Sequence, residues 1–260
     1  MSVETKSKFI TGKIQGAGKT EVFLHDNHHV LDLSILSDGR LDLAEKLIKK
    51  FNPQGKVIEM GAGHSWMTGM MSKSKNIKEA WCIDSSSKLM KEYAPIIFKK
   101  IKAKEEKITR VWGSFYHIPC PDHYFDVVLF EASFHHVPNY ELMFKELRRI
   151  LKPTGMILCT RERYLRPGAF ENFKKFKGHI ARGVLERIFT VAEYRFIAEQ
   201  HLFHYKTEPL YWYPTKNKKL RHWAKWVIEK IPVVNNKLAQ RTGSVVMVMH
   251  PKAYEPFGDE

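Results

Sequence analysis

The chain has 260 residues, 43% hydrophobic and 27% charged, enough apolar material for one sizeable α/β core and too much for a disordered chain. Lysine and arginine number 43 against 28 aspartate and glutamate, a formal net charge of +15. That suits a polyanionic partner or a phosphorylated substrate, and equally a soluble protein with a lysine-rich surface.

The three cysteines, Cys82, Cys120 and Cys159, are far apart and form no CxxC or Cys/His cluster. This argues against a metal site or a disulfide framework and for a reducing cytoplasm. The leading stretch MSVETKSKFITGK lacks the apolar segment of a secretory signal. No apolar run approaches the roughly 18 residues that span a bilayer. The expected location is cytoplasmic, with peripheral contact at the inner membrane surface as the one form of membrane association.

Residues 1–40 have weak periodicity and read as an N-terminal segment or partial cap. Within them, Gly16-Ala17-Gly18-Lys19-Thr20 resembles the end of a phosphate loop. The glycine required five positions before Gly18 is replaced by Lys13, and no buried strand precedes it, so ATP binding is not expected there. Leu43, Ala44, Leu47, Ile48 and Phe51 recur at helical spacing, and Asn52-Pro53-Gln54-Gly55 ends that helix. Lys56 to Met60 reads as a strand, followed by glycines and a helix from about Ser65 to Ser72. Ala80 to Asp84 is a second strand. Ser85 to Lys104 reads as a helix that Pro95 kinks or divides.

Thr109 to Trp112 is a third strand. Asp126 to Phe130 is a fourth, nearly all apolar as in a strand buried on both faces. Tyr140 to Leu151 is an amphipathic helix, Lys152-Pro153-Thr154-Gly155 a turn, and Met156 to Thr160 a fifth strand. Thr190-Val191-Ala192-Glu193 has the pattern of a capping box. Tyr205 to Tyr213 and Ser244 to Met249 read as the last strands. The domain is therefore set at 41–250, with insertions at about 164–189 and 214–241 and a tail at 251–260. Such alternation implies a mainly parallel, doubly wound Rossmann-like sheet with ligands beyond the carboxyl ends of its strands.

Three of those ends carry residues suited to an adenosyl group. In Val57-Ile58-Glu59-Met60-Gly61-Ala62-Gly63, Gly61 and Gly63 allow close approach and positive φ. Glu59 can sit under the loop and hold its backbone or a cofactor's amino group. The third glycine of a dinucleotide fingerprint is replaced by Ser65, and an ordinary strand-to-helix turn reads the same way. Asp84, ending the second strand, can accept both ribose hydroxyls or be a solvated strand-end acid. Ser85 lies beside it at the adenine edge. Ser114 can bond the adenine amino group while Phe115 covers the ring; a surface turn with a core Phe is the competing account.

The run VIEMGAG, WCID, GSFYHIPCPDHYFDVVLFEASFHHVPN and ELRRILKPTGMILCTRE resembles the methyltransferases related to ubiquinone and menaquinone C-methylation. The resemblance covers about residues 41–163, weakly extending to 205. This sequence departs at Ser65, at Ser114 for the usual Asp, and at Thr154 for a Gly. The resemblance implies a class I, S-adenosyl-L-methionine-dependent fold of seven strands with the last antiparallel. It implies that Glu59, Gly61, Ala62, Gly63, Asp84, Ser85, Ser114 and Phe115 line the cofactor, with Phe130 and Glu131 toward its methionine end.

The reacting end holds Glu131, Ser133, His135 and His136. A histidine suits proton removal from a hydroxyl acceptor, and Glu162 can orient it, as is thought for some similar sugar O-methyltransferases. The competing account makes the histidine pair structural. The leading expectation is methylation of a small molecule, at oxygen before nitrogen or carbon, with S-adenosyl-L-homocysteine as product. Its acceptor is quinone-like, lipid-linked or a sugar. RNA methylation is a second reading, disfavoured because the place of an N/D-P-P-Y/F run reads Phe130-Glu131-Ala132-Ser133-Phe134. A non-catalytic cofactor-binding relative is the third. Leu220, Trp223, Val227, Ile228 and Ile231 make an apolar stripe beside lysines, so residues 215–231 fit a helix on an anionic membrane or a cap on the sheet.

Overall fold

The computed structural model describes residues 8–11, 29–165, 188–210 and 245–253. In chain order these form β1 (Lys8–Thr11), a 3-10 turn (Leu33–Leu36), α1 (Arg40–Phe51), β2 (Gly55–Met60), α2 (Trp66–Ser72) and β3 (Ile77–Asp84). A π turn (Leu89–Tyr93) then runs into α3 (Ala94–Ile101), followed by β4 (Ile108–Trp112), β5 (Phe125–Glu131), a 3-10 turn (Phe134–His136), α4 (Tyr140–Ile150), β6 (Leu151–Thr160), α5 (Val191–Gln200), β7 (Phe203–Pro209) and β8 (Val245–Pro251).

Local chemistry sets these limits. α1 stops where Asn52 turns to φ 44° and returns its N–H to Ile48. Pro95 divides the long helix expected from Ser85 by opening α3, where its missing N–H is harmless. The Asn139 side chain caps α4 by accepting from Leu142 N, and Thr190 with Glu193 forms a complete capping box on α5.

The eight strands lie in the order β1-β4-β3-β2-β5-β6-β8-β7. β8 is antiparallel to both neighbours, and the other pairs are parallel. Seven strands were expected. The eighth is Lys8–Thr11, which adds to the β4 edge with only its two middle residues partly buried, too short a pattern to register as a period. The expected turn Lys152–Gly155 instead bulges within β6: Phe125 pairs with Leu151 and Val127 already with Met156. The phosphate-loop-like segment, the insertions beyond Leu165, the stretch 211–213 of the expected strand and the basic stripe 215–231 lie outside the described residues.

Each central strand is apolar on both faces. Val127 and Leu129 pack with α1, α2 and α3 through Leu47, Met67 and Phe98. Val128 and Phe130 pack with α4 and α5 through Met143, Phe144 and Tyr194. Strand order reverses between β2 and β5, where a doubly wound sheet opens a crevice at its carboxyl end. Among the described residues no helix is long and apolar enough to cross a membrane.

Candidate cofactor and acceptor site

The loops after β2, β3, β5 and β6 are stitched together at that crevice. Ala62 N donates to Ile83 O at 3.0 Å and Gly63 N to Asp84 Oδ2 at 2.8 Å, fixing the glycine turn to the end of β3. Asp84 Oδ1 accepts Ser86 N at 2.9 Å. Each carboxylate oxygen can accept more than one hydrogen bond, so Asp84 keeps capacity for hydroxyl donors. Across the switch point, Ser133 Oγ donates to Met60 O at 2.6 Å.

The two glycines serve different purposes. Gly61 has φ +65°, and a Cβ there would lie 2.8 Å from Ser133 Cβ and 3.0 Å from the Phe115 ring; its bareness lets the protein close on itself. Gly63 has φ +52° and nothing within 4 Å of where its Cβ would stand, so its bareness keeps a space open. Ser65, in place of the third glycine, still adopts the left-handed conformation at φ 57°, fully buried, at a cost of about 1 kcal/mol.

Glu59 is 1% exposed. Its Oε2 accepts Thr68 N at 2.8 Å and the Thr68 hydroxyl, while the buried Oε1 has no partner. Burial pushes its carboxyl up to about 8, against the Thr68 hydrogen bonds, with Glu131 and Asp84 adding repulsion. Burial also raises Glu131, opposed by its ion pair with Arg161, by Arg40 and by a hydrogen bond from Trp66. A buried acceptor without a donor, beside two further carboxylates and an open space above Gly63, suits a ligand carrying hydroxyls and positive charge. The ammonium, sulfonium and ribose of S-adenosylmethionine have that character, and the residues present fit it. No group of three or more His, Cys, Asp or Glu among the described residues is placed to hold a metal ion.

Ser85 is half-buried beside Asp84, its carbonyl accepting the Trp112 indole N–H at 3.0 Å. Ser114 is buried, and its Oγ accepts Tyr116 N at 3.4 Å. The Phe115 ring reaches over Gly61 and leans on Phe130 at 6.3 Å. Phe130 itself is fully buried, edge-on to Phe134, so its ring supports Phe115 from within the core.

On the other side of the crevice, Glu162 gathers the loop after β5. Its Oε1 accepts Ser133 N at 3.0 Å and Phe134 N at 2.9 Å; its Oε2 accepts His135 N at 3.3 Å and bonds His135 Nδ1 at 2.7 Å. Both side chains of the His135–Glu162 pair are 1% exposed. The half-buried His136 lies with its ring 4.1 Å from that of His135, centroid to centroid. Thus the carboxylate–histidine pair involves His135. Ala132 and Arg161, at the ends of neighbouring strands, are both left-handed, φ 51° and 54°, which concentrates backbone strain at this crevice.

Several residues here had no sequence signal. Thr68 follows Glu59 by nine positions, and Trp66 reaches Glu131 from the next helix. His64 belongs to the glycine turn, yet its Nε2 lies 3.1 Å from both Asp32 N and Val30 O, bringing the segment before α1 over the turn. Arg40 ties that segment together through Asp32 and Asp38.

Comparison with known proteins agrees with this geometry. Residues 58–159 match the family model described as methyltransferase domain. A demethylmenaquinone methyltransferase of Staphylococcus aureus (strain MRSA252) is 30% identical over 105 residues, 40% of this chain and 42% of that protein. A Schizosaccharomyces pombe protein named as an uncharacterised methyltransferase is 26% identical over 116 residues, 44% of this chain and 42% of that one. The chain thus spans less than half the length of these curated relatives. Among solved structures, the methyltransferase in complex with the Haloferax volcanii Trm112 activator superposes with a TM-score of 0.61 at 16% identity, over 86% of this chain and 93% of that one. Haemonchus contortus phosphoethanolamine N-methyltransferase 2, in complex with S-adenosyl-L-methionine, gives 0.60 at 15%, over 90% and 57%. Residues 58–159 thus resemble a methyltransferase domain, and the fold is the Rossmann-like one of these solved methyltransferases.

The glycine assignments separate by measurement. Gly61→Ala will lower stability by about 1–3 kcal/mol through its clash with Ser133 and Phe115. Gly63→Ala will cost about 1 kcal/mol of stability and weaken S-adenosylmethionine binding more than tenfold. Thermal unfolding and binding calorimetry read the two effects; unchanged affinity in Gly63→Ala contradicts the assignment. A second prediction concerns pH. Glu59 holds its proton more tightly folded than unfolded, so its contribution to stability is fully present below about 4.5 and is lost as pH rises through about 8. In Glu59→Gln that part of the decline will vanish, so the wild-type-minus-variant stability from denaturant unfolding will fall between about pH 4.5 and 8; a difference that does not change with pH would show that Glu59 does not titrate in this range.

Proposed function

We propose that the protein methylates a hydroxyl oxygen of a small-molecule acceptor, with His135 as general base. The observation that carries this reading is the buried Glu162–His135 pair at the end of β5, beside the site that fits the methyl donor. S-adenosylmethionine, when bound, supplies an electrophilic methyl group on a sulfonium.

The chain's own residues do the rest. Gly63 leaves room for the adenosyl group, and Asp84 and Ser85 would hold the ribose and the adenine edge. Phe115 would cover the adenine, with Ser114 beside it. Glu59, with Glu131 near the methionine end, offers negative charge to the ammonium. Glu162, already accepting three backbone N–H groups, can only accept from the imidazole as a carboxylate, so His135 Nδ1 carries hydrogen and Nε2 the lone pair. A base of that tautomer withdraws the acceptor's proton as the oxygen attacks in line. His136 packs on the His135 ring and would help set its orientation. The likeness to demethylmenaquinone methyltransferase supports a quinol-like acceptor, and the histidine favours oxygen over carbon within that class.

His135→Asn will lower kcat by roughly a hundred-fold or more. Its affinity for S-adenosylmethionine will stay within a few-fold of wild type. The measurement is S-adenosylhomocysteine release with quinol, phenol and sugar acceptors. Unchanged kcat in a folded His135→Asn protein removes the base.

A further inference from the structure

Opposite the crevice, at the amino ends of the strands, the surface is of the other charge. The connections α2–β3 and α3–β4 run side by side there. Lys104 N donates to Ser72 Oγ at 2.9 Å, Lys107 Nζ to Ser74 O at 3.0 Å and Ile77 O at 2.6 Å, and Lys73 Nζ to Ile101 O at 3.3 Å. Over residues 72–78 and 99–107 the sequence carries eight lysines and two glutamates.

Lys73, Lys75, Lys78, Lys102 and Lys104 are exposed, and none forms an ion pair with another described residue. Within the patch only Glu105 and Glu106 oppose the eight lysines, and the next carboxylate along the chain, Glu79, bonds Lys56, Tyr124 and Trp81. Helix dipoles account for Lys99 and Lys100 in the last turn of α3, but not for Lys75, Lys78 and Lys104 in or beside the connections. Glu59, Asp84, Glu131 and Glu162 stand at the far end of the same strands. The eight residues of β3 separate the two ends by about 25 Å. The charge is therefore polarised along the strand direction.

We infer that this lysine face docks the protein on an anionic phospholipid surface, with the crevice turned away from the lipid. Its chemistry selects lipid over RNA. The patch offers ammonium point charges only; residues 72–78 and 99–107 contain no arginine for bidentate phosphate contact and no aromatic ring for stacking on bases. Lysines near an anionic membrane each strengthen attachment roughly five-fold. This surface is independent of the transfer reaction.

Co-sedimentation with vesicles of phosphatidylcholine containing about one third phosphatidylserine tests the inference. Wild type will bind these and not pure phosphatidylcholine, and will be released when salt rises to about 0.5 M. The variant K75E/K78E/K102E/K104E will bind at least a hundred-fold more weakly, with its unfolding midpoint and S-adenosylmethionine affinity unchanged. Should it not fold, K75Q/K104Q will still weaken vesicle binding about twenty-fold. Wild type that stays in solution, a folded variant that binds undiminished, loss of binding on reversing Lys218, Lys219 and Lys225 alone, or displacement of the vesicles by equimolar transfer RNA would each overturn it.

Discussion

One buried carboxylate oxygen, Glu59 Oε1, stands without a partner at the centre of the proposed donor side. Glu59 stands at the head of the central strand with half its hydrogen-bonding capacity given to Thr68 and the other half unmet. An orphaned buried acceptor costs on the order of 1–3 kcal/mol, and proximity to Glu131 and Asp84 adds to that cost. The fold tolerates it where the strand order reverses and the glycine turn leaves the space over Gly63 open. A cationic ligand resolves the conflict by supplying the donor and the charge that the protein withholds. Cofactor specificity on this reading comes as much from what the site lacks as from what it contains.

The proposed acceptor side rests on the opposite arrangement. Glu162 is saturated, holding three consecutive backbone N–H groups and the His135 ring. It fixes the 134–136 turn and the imidazole together, so the histidine has one orientation. The left-handed residues Ala132 and Arg161 are where the chain bends to permit this. On the proposed mechanism, a crevice with an unsatisfied carboxylate on one side and a saturated one on the other separates binding of charge from handling of a proton.

Most of the sheet was legible because its strands are apolar on both faces and its helices carry strong boundary signals, such as the stop at Asn52-Pro53 and the start at Thr190 with Glu193. The β1 edge strand was not, since two half-buried positions make no period. At the site, Glu59, Gly61, Gly63 and Asp84 could be read because each sits at a strand end or in a glycine turn. The Glu162–histidine pairing was also anticipated, although only the structure distinguishes His135 from His136 as its member. Thr68, Trp66, Arg40 and the Asp32–His64 contact depend on tertiary packing between elements far apart in sequence. No local pattern announces them. The glycines showed the limit of motif reading: the two look equivalent in GAG, yet one accommodates the protein and the other an open space.

The central claim is that Glu59 waits for positive charge. Calorimetric titration with S-adenosylmethionine near pH 7, repeated in buffers of different ionisation enthalpy, tests it directly. A Glu59 raised to about 8 is largely protonated at that pH and must ionise to meet the ligand, so binding should release close to one proton. The release should disappear in Glu59→Gln, with affinity reduced. Binding with no proton released, or equal affinity in Glu59→Gln, would contradict the account.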